Sequence, residues 1–145
     1  MNRKFAIPFV LLWLMSTCTW ADGLVVVAHP DSQVSHLDHA QLINIYMGRY
    51  RQLPTGEAAL PVDVGMLKER FYRALLNKGL AEVNSYWARL VFSGQVSPPL
   101  QLQTPAQVLD YIRRNPGALG YLSAADVPDD LLIVARLDEA SAERS

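Results

Sequence analysis

The chain has 145 residues, half of them hydrophobic, with 13 basic and 14 acidic side chains and a net charge of −1. That length suits one domain with its own core. A charge so near zero excludes the broad basic surface that nucleic acid or anionic lipid would require.

Residues 1–21 read as a cleaved export signal: Arg3 and Lys4, an apolar run from Phe5 to Met15, then Thr19-Trp20-Ala21 as a small-x-small cleavage site. The run is shorter than the roughly 20 residues of a spanning helix, so the expected product is a soluble periplasmic protein of residues 22–145. A lipoprotein anchored at Cys18 is the competing reading, and the bulk of Thr17 before that cysteine argues against it. Cys18 is the only cysteine, so the mature chain would hold no disulfide, no thiol nucleophile and no cysteine metal site. It would carry 11 basic against 14 acidic side chains, a net of −3.

The continuous apolar run Leu24 to Ala28, like Leu131 to Ala135 near the end, predicts a strand covered on both faces. Asp38 to Met47 predicts a broadly apolar helix stopped at Gly48. Leu60-Pro61-Val62 is a shorter strand candidate, weakened by its proline. Leu67, Phe71, Ala74 and Leu75 make one helical face, and Val83, Tyr86, Trp87, Leu90 and Val91 another. Residues 95–103, with Pro98-Pro99, predict a semi-extended connection. Thr104-Pro105 sets an N-cap and a first-turn proline ahead of Val108, Leu109 and Ile112. Pro116 ends that helix, Gly117 is expected to take a positive φ, and Leu119 to Leu122 form a strand in which Gly120 admits a close neighbour. The tail 138–145 is polar and expected to be disordered.

Three segments resemble, in the same order, the substrate-binding proteins of phosphate ABC importers, of the type 2 periplasmic-binding superfamily. They are Leu42-Ile43-Asn44-Ile45-Tyr46-Met47-Gly48-Arg49, Tyr86-Trp87-Ala88-Arg89-Leu90-Val91-Phe92-Ser93-Gly94, and Arg114 to Leu122, whose Pro116-Gly117-Ala118-Leu119-Gly120-Tyr121 is similar to the family's "PGAIGY" passage. The resemblance spans most of the chain after residue 36. It implies an α/β fold: a single three-layer lobe with a small, mostly parallel sheet flanked by helices. Importer proteins close two lobes over their ligand, and this length supplies one.

Site chemistry is sparse. His29, His36 and His39 are the only histidines, and without a matching carboxylate or cysteine they do not make a metal site. Ser93 follows a helix, which is the wrong context for a nucleophile elbow, and no phosphate loop or dinucleotide glycine pattern occurs. We therefore expect no enzyme, no cofactor and no metal. The remaining candidate is the turn Pro61-Val62-Asp63-Val64-Gly65-Met66, because a helix N-terminus presents free N–H groups to an anion. The family places an "SDGSGT"-like loop there. Here Asp63 and Gly65 match loosely, while Val64, Met66 and Leu67 stand where hydroxyls would be, and Asp63 is expected to cap the helix itself. The resemblance thus implies a phosphate-like anion at Ser32, Asp63, Gly65, Arg70, Gly117, Gly120 and Tyr121. The alternative is an interaction module that uses the same face against a periplasmic or membrane protein partner.

Overall fold

The computed structural model describes residues 23–138; the expected leader with Cys18, and residues 139–145 of the tail, lie outside the described residues. Five strands form one sheet in the order β3-β2-β4-β1-β5. β1 (Leu24–Ala28) lies between β4 (Ala118–Ser123) and β5 (Leu132–Leu137) and runs antiparallel to both. β2 (Leu60–Val64) runs parallel to β4 and to β3 (Leu100–Leu102). Four strands therefore share one direction and β1 alone opposes them, which makes the sheet mixed.

The helices cover both faces. α1 (His39–Tyr46) follows β1, α2 (Lys68–Leu76) and α3 (Leu80–Phe92) lie between β2 and β3, and α4 (Pro105–Arg114) joins β3 to β4. Successive residues of a strand point to opposite faces, and β4 uses this directly. A Cβ added at Gly120 would sit 2.6 Å from Val108 and 3.1 Å from Ile112, so α4 lies on that face. Tyr121, one residue on, stacks on Phe71 of α2 at 3.8 Å and 7° and meets Tyr46 of α1 at 5.9 Å, so α1 and α2 lie on the other. The result is an α/β three-layer lobe. α3 packs outside α2, and its Tyr86 hydroxyl donates to the Met47 carbonyl at 2.8 Å.

Local sequence explains the boundaries. α1 starts in a capping box, with Gln41 N–H donating to Asp38 at 2.7 Å and Gln41 answering to the Asp38 N–H at 2.9 Å. α4 starts in a second box, built from Thr104 and Gln107 with Pro105 at its first turn. Pro61 is tolerated in an interior strand because β3 joins β2 only from Val62 onward, so the missing N–H falls where β2 still has an open side.

Some expectations are corrected. Residues 100–102 of the presumed connection form β3, a strand too short to show a period. β5 begins at Leu132 and is an edge strand, leaving Leu132 and Ile133 more than a third exposed. Val91 is half exposed: Val83 and Trp87 of the α3 stripe are buried in the core and Tyr86 and Leu90 pack against it, while Val91 does not. Gly117 does not have positive φ. Its requirement is steric: an added Cβ would collide with the backbone oxygen of Ala58, while Leu60 N–H already bonds to the Gly117 carbonyl at 2.9 Å.

Candidate functional site

β2 carries Val62, Asp63 and Val64 into full burial, and Asp63 is 1% exposed. A buried carboxylate is costly unless donors replace its water shell, and here they converge from three elements. The hydroxyls of Tyr72 (α2) and Tyr121 (β4) donate to Oδ1 at 2.9 and 3.1 Å. Gln101 Nε2 (β3) donates to Oδ2 at 2.8 Å, and Lys68 Nζ, at the start of α2, lies 3.6 Å from the same oxygen. The Tyr121 hydroxyl also accepts from the Val64 N–H at 3.0 Å, which fixes its donor direction onto Asp63. Burial first, and the Asp63 charge second, push both phenols far above the ordinary tyrosine range. Tyr46 is raised for the same reasons, in the same order, and its hydroxyl bonds to the carbonyls of Val62 at 3.3 Å and Leu119 at 3.2 Å.

Asp63 therefore does not cap α2. It belongs to the strand, and its carboxylate faces inward. The turn that follows is Gly65-Met66-Leu67: Gly65 N–H bonds to the Leu102 carbonyl at 2.8 Å and Leu67 N–H to the Val64 carbonyl at 2.9 Å. The N-cap of α2 is Leu67, which contributes no side-chain hydrogen bond, so the positive end of this helix is not neutralised by its own cap. Met66 beside it is 75% exposed, and Arg70 stands exposed on the first turn.

The seven residues singled out from sequence do not gather at one point. Asp63, Gly65, Arg70 and Tyr121 share the end of the sheet where β2 runs into α2. Ala28, ending β1, pairs with Leu119 near the start of β4, and Leu60, starting β2, pairs with Ala118. Ser32 and Gly117 thus lie at the opposite end, roughly 13 Å away at the usual strand rise. Ser32 is buried, and its Oγ accepts from the Val34 N–H at 3.3 Å. Gly120 sits mid-strand under α4, so its close neighbour is a helix.

Tyr72, Gln101 and Lys68 escaped the sequence reading as a set, since they come from a helix face, a missed strand and a helix start. The available signal was Asp63 inside an otherwise apolar strand, which demands donors from every neighbour. His29 Nδ1 accepts from the Asp31 N–H at 3.0 Å, while His36 and His39 are exposed. Among the described residues no group of three His, Cys, Asp or Glu is placed to hold a metal ion. No helix among them is long and apolar enough to cross a membrane.

No family model matches the sequence, and no curated protein does. Solved structures match the fold. An ABC-type phosphate transport receptor from Vibrio cholerae superposes with a TM-score of 0.61 over 78% of this chain and 45% of its own, at 17% identity. A Clostridium perfringens structure with bound phosphate gives 0.61 over 78% and 44% at 16% identity. PstS from Borrelia burgdorferi gives 0.59 over 79% and 47% at 14% identity. The fold is that of a phosphate-binding-protein lobe. The lobe spans less than half the length of each of these structures. The first of these is described as a transport receptor and the second as a candidate substrate-binding protein of a phosphate ABC transporter.

Proposed function

We propose that the chain is an exported, non-enzymatic solute-binding module that takes a phosphate-like oxyanion weakly at the turn from Gly65 to Lys68. The observation that carries this reading is the start of α2, free of any side-chain cap, in a fold shared with phosphate-binding proteins. With the Gly65 and Leu67 N–H groups bonded to carbonyls, the first-turn N–H groups of α2 are what it offers an oxyanion, beside the negative charge of Glu69. Weakness follows from the surroundings. The ammonium of Lys68 faces Asp63, and Val64, Met66 and Leu67 supply no hydroxyls. Each neutral hydrogen bond forgone is worth about 1 kcal/mol, and Met66 leaves the turn open to water among the described residues, so the expected dissociation constant for the chain alone is about one millimolar or weaker. The leader-like residues 1–21 and the likeness to a transport receptor support export to the periplasm.

Calorimetry and amide NMR with orthophosphate test the reading. The expected result is weak, saturable binding with shifts at Gly65 to Arg70. Binding near one micromolar would mean that an intact family-type site survives, and absence of any saturable response would remove the anion from the function. The latter favours the second reading, an interaction module for a periplasmic or membrane protein. Met66 supports it, a 75% exposed apolar side chain on the same turn.

A further inference from the structure

A second depression lies at the other end of α2, about 12 Å along the helix from Lys68 at the usual helical rise. It is a half-open groove of about 460 Å³ between the end of α1, the end of α2 and the first turns of α3. That volume is within the range of small-molecule sites. Its floor is apolar, from Ile43, Met47, Leu76 and Val83. The floor is also fixed, because the Tyr86 hydroxyl ties α3 to the Met47 carbonyl at 2.8 Å, while the flexible thioether of Met47 can adapt to an occupant.

The rim carries three cations, Arg49, Lys78 and Arg89, against one carboxylate, Glu82. Glu82 is already taken by Lys78 at 3.0 Å. Arg49 has only a long contact, 3.4 Å, to the Asn44 side-chain oxygen, and Arg89 has no ion pair among the described residues. An apolar floor under unneutralised guanidinium groups, on a chain of net charge −1, is a local inversion of the molecule's overall electrostatics. A small hydrated anion gains nothing from the floor, and a neutral apolar molecule gains nothing from the rim.

We propose that this groove binds an amphipathic monocarboxylate: an acyl or aromatic body laid on Ile43, Met47, Leu76 and Val83, with its carboxylate between Arg49 and Arg89. The site is independent of the oxyanion reading, sharing no residue with the turn before α2. Guanidinium groups suit it because they hold a carboxylate through two parallel hydrogen bonds.

The test is an NMR titration of the isotopically labelled protein with octanoate, 1-octanol and acetate in parallel. Octanoate should saturate at about one millimolar or below, with shifts confined to Met47, Ala81, Tyr86 and Arg89, and the other two probes should bind roughly tenfold more weakly. The double variant Arg49→Gln/Arg89→Gln should lose roughly tenfold for octanoate and leave 1-octanol unchanged, as expected for two partly exposed charge contacts. Equal affinity for octanoate and 1-octanol would overturn the proposal, as would parental affinity in the double variant. So would shifts that fall outside the groove, or no saturation by about ten millimolar octanoate.

Discussion

The two ends of α2 solve opposite electrostatic problems. At its start, one buried carboxylate is surrounded by donors: two phenols, an amide and an ammonium converge on Asp63. At its end, cations outnumber the only carboxylate, and two of the three arginine and lysine groups have no carboxylate partner among the described residues. Charge inside the fold must be satisfied by the chain itself, whereas charge at the rim can be left to water or to a ligand. The first arrangement should be expensive to disturb, the second nearly free.

The sharpest way to break this contrast is Asp63→Ala. It strands four donors in the interior and should cost about 3 to 5 kcal/mol in denaturant unfolding, with Asp63→Asn less harmful because one acceptor oxygen remains. An unchanged midpoint would mean that the network contributes nothing net. Tyr121→Phe comes next: it removes a donor to Asp63 and the acceptor for the Val64 N–H, and should cost about 1 to 3 kcal/mol. Tyr72→Phe removes only the donor and should cost about 1 kcal/mol.

Alkaline titration probes the same end without mutation. The phenols of Tyr46, Tyr72 and Tyr121 have folded pKa values raised above the unfolded value of 10.0. Their contribution to stability is therefore complete below pH 10 and is lost as the pH rises beyond it, since only the unfolded chain then releases these protons. Tyrosinate absorbance for these three side chains should appear together with loss of tertiary structure; their titration in the folded protein would show that the cluster is open to water. The smallest effect belongs to the far end of the helix. Arg89→Gln and Lys78→Gln should each shift stability by no more than about 0.5 kcal/mol, as exposed charges do. A larger loss there would erase the contrast.

What the sequence disclosed follows the same division. Local chemistry was legible: the Thr104-Pro105 start of α4, the Gly48 stop of α1 and the unbroken apolar run of β1 all act within a few residues. β3 was not legible, because three residues show no period and only the pairing of Val62 with Leu100 makes them a strand. The role of Asp63 was misread as a helix cap for a related reason. A carboxylate just before a helix is ambiguous in sequence, and the choice between capping and burial depends on Tyr121, 58 positions away. Gly117 looked like a conformational requirement and proved a steric one, which depends on Ala58 in the loop before β2. The candidate site was legible as a set of types and not as a place: pairing across the sheet is what sends Ser32 and Gly117 to one end and Asp63 to the other.

The lone reversed strand has a consequence for the order of assembly. β1 is the first strand among the described residues, yet Leu24 pairs with Ser123 on one side and Leu137 on the other. Its hydrogen-bonding edges must wait while nearly the whole lobe is synthesised, and closing loops of that length makes the late step slow. Until then the run Leu24-Val25-Val26-Val27-Ala28 is an unprotected adhesive segment on the emerging chain. A nascent protein built this way depends on its last strand to silence its first.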